Sequence, residues 1–374
     1  MERGRENNWE KLYMISRDEA VEAKTQNEIL SQPGCWEECF KALEESAQLE
    51  QAARWDTGDA EYLFIGCGSS YYISQAAAAS WGLITGRRAW AVPASEVLLF
   101  PDLVLNGSAK CQPVLVSRSG HSSEVVRAAQ FLEHTRNIRT LAISCSEGHP
   151  LEEISAFTIH LLPADEKSVV MTRSFTSVLL GLQSLAAHVA RRKEITDGLR
   201  RLPAAVQPIL DSVNPRIQEF VQARSFADYV FLGQGPFFGI ASEGQLKIKE
   251  MSCSYAQVFH TLEFRHGPKA IVGPETLLTF LLSETGYTAE REVLEEMKEL
   301  GGTTLVITNQ ADAVVRRNAD FLVELKLEVP ECARLAAYLI TCQLLGLYTG
   351  LKKGYDIDRP RNLSRAVILT ESGA

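Results

Sequence analysis

From Glu61 onward, short apolar runs alternate with longer amphipathic segments. Tyr62–Ile65, Pro113–Val116, Thr140–Ser144 and Phe157–Leu161 read as strands, and the segments opening near Ser70, His121 and Thr172 read as helices. Strands alternating with helices predict a parallel sheet covered on both faces. Residues 14 to 52 have helical periodicity broken once, at Gln32-Pro33-Gly34, which predicts two helices joined by a turn. A further apolar stretch, Leu335–Leu351, carries no charge but includes Gln343 and is short for a bilayer span, so a buried helix is expected there.

The pattern occurs twice. Glu61-Tyr-Leu-Phe-Ile-Gly-Cys-Gly68 is matched by Asp228-Tyr-Val-Phe-Leu-Gly-Gln-Gly235, Ser117-Arg-Ser-Gly-His-Ser-Ser-Glu124 by Ser283-Glu-Thr-Gly-Tyr-Thr-Ala-Glu290, and Thr140-Leu-Ala-Ile-Ser144 by Thr304-Leu-Val-Ile-Thr308. The offsets are 167, 166 and 164 residues, in the same order, and chance does not produce such a series. The expected organisation is an N-terminal helical extension (1–52), a first α/β domain (53–193), a helical connector (194–224), a second α/β domain (225–352) and a C-terminal tail (353–374).

Composition narrows the function classes. The 374 residues are 45% hydrophobic and 23% charged, a globular balance that excludes disordered and collagen-like chains. With 47 acidic against 38 basic residues the net charge is −9, so nucleic acid is not an expected partner and any anion must be captured locally. The eight cysteines form no CxxC pair and no ligand-spaced His–Cys cluster, so no disulfide framework, metal site or cofactor is expected. They suit a reducing compartment. Residues Met1–Asn8 have no apolar segment of the signal-peptide kind, and the expectation is a cytoplasmic protein without a membrane partner.

In an open α/β sheet, ligands bind beyond the C-terminal ends of the strands. Ser117-Arg118-Ser119-Gly120-His121-Ser122-Ser123 lies there, offering backbone N–H groups, hydroxyls and one guanidinium to an anion of phosphate size. A Ser-rich helix cap is the simpler alternative. The second copy has Glu284 where the first has Arg118, and a carboxylate repels phosphate, so the anion site is assigned to the first copy. Gly66-Cys67-Gly68-Ser69-Ser70 lacks the third glycine of a dinucleotide fingerprint. About twenty residues on, Arg87-Arg88-Ala89-Trp90 has no acid for a ribose, so the Ser69 and Ser70 hydroxyls suit a sugar or phosphate better. There is no Walker lysine, Gly-x-Ser-x-Gly elbow or His-Glu-x-x-His pair.

A helix is expected over Ile240–Ser254. Glu243, Lys247 and Glu250 fall within roughly a 60° arc of it, beside the apolar stripe of Ile240, Gly244, Ile248 and Met251. That places them at the edge of the core, and on the helix alone surface salt bridges explain them. Further on, Leu262-Glu-Phe-Arg-His266-Gly-Pro268 sets a histidine in a turn, where an imidazole is presented rather than packed. A carboxylate base and a histidine near an anion site suit proton transfer on a sugar phosphate. The other six histidines lack such a setting and read as surface or core residues.

In these residues the chain resembles the sugar isomerase (SIS) family. The likeness runs from the Gln32-Pro33 helix almost to the C-terminus and covers two SIS domains. The stretch Lys353-Gly-Tyr-Asp-Ile-Asp-Arg-Pro-Arg-Asn-Leu363 is similar to the isomerase half of glucosamine-6-phosphate synthase. Met171-Thr-Arg-Ser-Phe-Thr176 and Phe264-Arg-His-Gly-Pro-Lys269 resemble the galactosamine-6-phosphate deaminase/isomerase type. The resemblance implies two tandem domains, each a doubly wound parallel sheet flanked by helices in a flavodoxin-like three-layer sandwich. It also implies a homodimer with sites near the subunit interface and a C-terminal tail contributing to the active site.

By position, the resemblance implies phosphate and sugar contacts at Cys67, Gly68, Ser69, Ser70, Ser117, Arg118, Ser119 and Ser122. It implies a C1–C2 proton shuttle at Glu250 with Lys247 nearby, and a ring-opening His266 that a neighbouring subunit can supply. Arg365 stands where the synthase has a Schiff-base lysine, and arginine stays protonated and forms no imine. The residues before Glu61 are too few for the synthase's glutaminase domain. The expected activity is therefore conversion of a hexosamine 6-phosphate to a ketose 6-phosphate plus ammonia, without a cofactor. Two alternatives stay open: a fructosamine-6-phosphate deglycase using the same shuttle, and a non-catalytic sugar-phosphate-binding regulator. The sequence has no evident helix-turn-helix or basic patch, which counts against the regulator.

Overall fold

The computed structural model describes residues 24–105 and 110–369. The first half forms a five-stranded sheet of β1 (Glu61–Gly66), β2 (Ala89–Pro93), β3 (Cys111–Val116), β4 (Leu141–Ser144) and β5 (Phe157–His160), in the spatial order β2-β1-β3-β4-β5. The second half forms another from β6 (Asp228–Gly233), β7 (Ala256–His260), β8 (Thr276–Leu281), β9 (Thr303–Thr308) and β10 (Phe321–Glu324). Its order, β10-β9-β8-β6-β7, is the same topology, and every pairing is parallel. Central strands such as β1 and β8 are buried almost throughout, as expected where helices cover both faces of a parallel sheet.

The faces of each sheet serve different cores. Phe64, Val114 and Ile143 from the first sheet and Phe231, Leu277 and Leu305 from the second belong to one shared core, with helices Arg173–Val189 and Leu335–Lys352. The opposite faces close smaller cores of their own, around Leu63, Leu115 and Ala142 in the first half and Val230, Phe280 and Val306 in the second. The predicted buried helix at the C-terminal end is present, and all its residues from Leu335 to Gly350 are buried. Among the described residues no helix is long and apolar enough to cross a membrane.

Several expectations need correction. β2 and β7 were not anticipated: each is the strand at one end of its sheet, and β2 is only half-buried along its length, so neither shows a continuous apolar run. Gln32-Pro33-Gly34 is the first turn of helix Gln32–Glu45 rather than a turn between helices. Proline is suited to that position because a first-turn N–H has no intrahelical partner to lose. The chain instead breaks at Ser31 and again at Ala47, which takes a left-handed φ of 53°. Residues 14–23 of the predicted first helix lie outside the described residues. Helices expected near His121 and Thr172 begin at Ser123 and Arg173, and the one expected over Ile240–Ser254 is Phe237–Ser252.

Candidate active site

β1 runs into helix Ser69–Thr85 through a turn that admits no side chain at Gly66, where a Cβ would lie 2.5 Å from the backbone of Ser70. This turn aims Ser69 at the second half of the molecule. Its hydroxyl donates to Glu243 Oε1 at 3.0 Å, and Lys247 Nζ lies 3.0 Å from the same oxygen and 3.3 Å from Ser69 Oγ. Lys247 also donates to Glu250 Oε2. Glu243 and Lys247 are completely buried, so they are interior groups rather than residues at the edge of the core. The arc was legible in the helix; its burial was not, because the covering surface is helix Ser69–Thr85 of the first half, which packs on Phe237–Ser252.

Burial pushes the Glu243 carboxyl up to about 8, and the neighbouring Glu250 adds to the rise against the bonds from Lys247 and Ser69. For Lys247, burial works against the ammonium, but the two carboxylates outweigh it and hold the group above the ordinary lysine value. A single ammonium balances one carboxylate, so a proton retained on Glu243 leaves the buried cluster neutral. Glu243 Oε2 has no hydrogen-bond partner. Glu250 is the member that reaches solvent, with its side chain 16% exposed.

The second loop, after β3, lies beside the first: Cys67 Sγ is 3.9 Å from Glu124 Oε2. Burial and the Glu124 charge push the Cys67 thiol up to about 11, so it is a neutral group. Ser70 Oγ faces Met171 Sδ at 4.0 Å. Ser117 Oγ accepts from Gly120 N at 3.1 Å and Ser119 Oγ from His121 N at 3.2 Å, which shapes the loop. Ser122 precedes helix Ser123–Gln130 and makes no side-chain cap bond.

Arg118 departs from expectation. Its guanidinium is buried, 3.3 Å from Glu166 Oε2, and it donates to the carbonyls of Val169 at 2.9 Å and Arg365 at 3.0 Å. It fastens the loop before helix Arg173–Val189 and the C-terminal tail. Glu166 was missed from the sequence. It accepts from Thr172 N at 2.7 Å, Thr172 Oγ1 at 2.6 Å and Ser174 Oγ, and no motif marks it. The Arg365 side chain pairs with Asp165. Beyond it, Ser123 N donates to Val367 O at 3.1 Å and Leu369 N to Ser123 Oγ at 2.9 Å, so the tail lies across the start of helix Ser123–Gln130.

The SIS domain family model matches residues 60–188 and 227–347. The chain belongs to the SIS family. A glutamine–fructose-6-phosphate aminotransferase (isomerizing) of Shewanella oneidensis is 30% identical over 323 residues, which cover 81% of this chain and 51% of that protein. The chain thus spans about half the length of the curated relatives it matches. A glucosamine-6-phosphate deaminase from Thermotoga maritima superposes with a TM-score of 0.75 at 28% identity, covering 92% of this chain and 100% of its own. The C-terminal domain of a Francisella tularensis glucosamine-fructose-6-phosphate aminotransferase superposes with a TM-score of 0.81 at 21% identity, covering 91% of this chain and 99% of its own. At that identity it shows the shared fold.

The two SIS copies have diverged in the loops after β3 and β8. In the second copy the Glu331 carboxylate accepts from the amides of Glu284 and Thr285 and, at 2.7 Å, from Thr285 Oγ1, while Glu284 pairs with Arg334. A carboxylate of the chain itself thus fills the position an anion would take. His266 is exposed at the end of the Glu263–Arg265 turn and shares no hydrogen bond with Glu250 among the described residues. The structure therefore gathers Ser69, Lys247 and Glu250 within one chain and leaves His266 outside that cluster.

Proposed function

We propose that this SIS-family chain converts a hexosamine 6-phosphate into a ketose 6-phosphate and ammonia. The observation that carries the reading is the buried Ser69–Glu243–Lys247–Glu250 cluster beside the loops of Cys67–Ser70 and Ser117–Ser122. Hydroxyls of Ser70, Ser117, Ser119 and Ser122, with backbone amides of Cys67 and Gly68, hold the phosphate. His266, supplied by a second copy in a homodimer, opens the ring. Glu250 removes the C2 proton of the open aldehyde and returns it to C1, while the Lys247 ammonium stabilises charge developing on the C1 oxygen. The resulting C2 imine adds water and releases ammonia. An ammonium held between carboxylates cannot attack a carbonyl, and neither can Arg365, so the reading involves hydrolysis of a free imine rather than an enzyme-bound one. The whole-length likeness to a glucosamine-6-phosphate deaminase supports deamination.

The test is to supply glucosamine, galactosamine and fructosamine 6-phosphates to the purified chain and assay ammonia and ketose phosphate. Equal amounts of both from a hexosamine phosphate are expected, with Glu250→Gln lowering kcat by about 10²–10⁴-fold. Turnover of the fructosamine phosphate alone, or tight calorimetric binding of hexosamine phosphates without turnover, overturns the reading.

A further inference from the structure

We propose that His149, Glu152 and His160 bind one divalent transition-metal ion, best matched by Zn²⁺, behind the loop Ser117–Ser122. These residues come from the turn opening the short helix Pro150–Ile154 and from the end of β5, and each offers one ligand atom within 4.8 Å of the others. Nothing in their spacing along the sequence marks them as a set.

His160 is presented as a ligand. Its Nδ1–H donates to the Ser146 carbonyl at 3.0 Å, which leaves the Nε2 lone pair facing Glu152 Oε1 at 3.3 Å. A ring N–H anchored on a carbonyl is the support that metal-bound histidines have. Two acceptors facing each other repel unless a cation lies between them. Ligands about 2.0–2.1 Å from a tetrahedral ion are themselves about 3.3 Å apart, which is the His160–Glu152 separation, and the His149 ligand atom lies within 4.8 Å of both. The other oxygen of Glu152 accepts from Gly148 N at 2.7 Å and fixes the carboxylate.

His149 is the third donor. It is completely buried, its Nδ1 accepts from Glu152 N at 3.0 Å, and its Nε2 has no partner. Coordination at Nδ1 displaces the bond from the Glu152 amide and leaves the ring proton on Nε2, whereas coordination at Nε2 moves that proton to Nδ1, where it faces the Glu152 N–H. A proton shared by His160 and Glu152 explains those two groups and leaves His149 Nε2, on a ring otherwise engaged in capping the helix, without a partner. Two imidazoles and one carboxylate suit a borderline ion such as Zn²⁺, whereas Mg²⁺ and Ca²⁺ prefer oxygen ligands throughout.

The site would act on the neighbouring loop. Ser146, which anchors His160, donates its hydroxyl to Ser119 O at 3.1 Å, and Leu151 N donates to Gly120 O at 3.3 Å. An ion at this place ties β5 and the 148–152 turn to the backbone of the phosphate loop.

The test uses the full chain carrying Cys253→Ser, which removes an exposed thiol that could bind metal independently. After chelator treatment it is titrated with Co²⁺ and then Zn²⁺, by calorimetry and visible absorption. One ion per chain, a tetrahedral Co²⁺ spectrum and its displacement by Zn²⁺ are expected. Glu152→Gln and His160→Gln should each weaken binding by about 100-fold or more with unchanged far-UV circular dichroism. His149→Asn, which retains a helix-capping side chain, should do the same. Zn²⁺ affinity weaker than about 1 mM, or affinity unaffected by both Glu152→Gln and His160→Gln, overturns the proposal.

Discussion

Glu243 concentrates the electrostatics of the site into one residue. It is buried against a lysine that is itself buried and that also pairs with Glu250. Its raised carboxyl makes stability depend on pH. Between its ordinary value of 4.5 and about 8, the folded chain holds a proton that the unfolded chain has lost. The contribution is therefore complete below 4.5, declines as pH rises through the window and is gone above about 8. Lys247, raised above 10.5, adds its own dependence only at higher pH. Glu243→Gln replaces the protonated carboxyl with a group that never ionises. Urea unfolding at pH 5, 6, 7 and 8 should show the variant gaining stability relative to the parent as pH rises, with a slope difference approaching one bound proton. Parallel curves would show that Glu243 is ionised throughout. Residue types and helical spacing announced this cluster, but its burial depends on a helix some 170 residues away in sequence, whereas His149 and His160 were hidden because their spacing matches no ligand motif.

At the scale of elements, legibility followed burial. β1, β3 and β6 were readable as apolar runs because helices cover both their faces, whereas β2 and β7, at the ends of their sheets, carry the mixed patterns that half-burial permits. How helices cross is legible only where a small residue marks the contact. Gly239, on helix Phe237–Ser252, would place a Cβ 2.6 Å from Ala76 N and 2.9 Å from Tyr72 O on helix Ser69–Thr85. Backbone cannot retreat as a side chain can, so Gly239→Ala should force the helices apart, cost about 1–3 kcal/mol and loosen the Ser69–Glu243 bond. Gly34 is the contrasting case. It lies in helix Gln32–Glu45 with nothing within 4 Å of its would-be Cβ, so Gly34→Ala should be neutral or stabilise by about 0.5 kcal/mol through helix propensity. Urea midpoints of the two variants check the pair, and a Gly239→Ala midpoint equal to that of Gly34→Ala would contradict the close crossing.

At the scale of the whole molecule, the duplication read from three repeated segments is a pair of sheets with one topology, but the copies do not own separate cores. The shared core draws side chains from both sheets, and it is closed by Leu335–Lys352, a helix that packs on both Phe237–Ser252 and the connector Lys193–Ala223. Neither copy can lose its inner face without exposing that of the other, so unfolding should be a single cooperative event despite a sequence that divides in two. The chain carries a means of testing this, because its five tryptophans, at positions 9, 36, 55, 81 and 90, all lie in the first half. Trp36 and Trp81 are buried in the shared core. Tryptophan emission therefore reports the first copy, and far-UV circular dichroism reports both. The two urea transitions should coincide in midpoint and slope. An emission change displaced from the dichroism change would mean that the copies unfold separately, and that the cluster joining Ser69 to Glu243, Lys247 and Glu250 can open while one half remains folded.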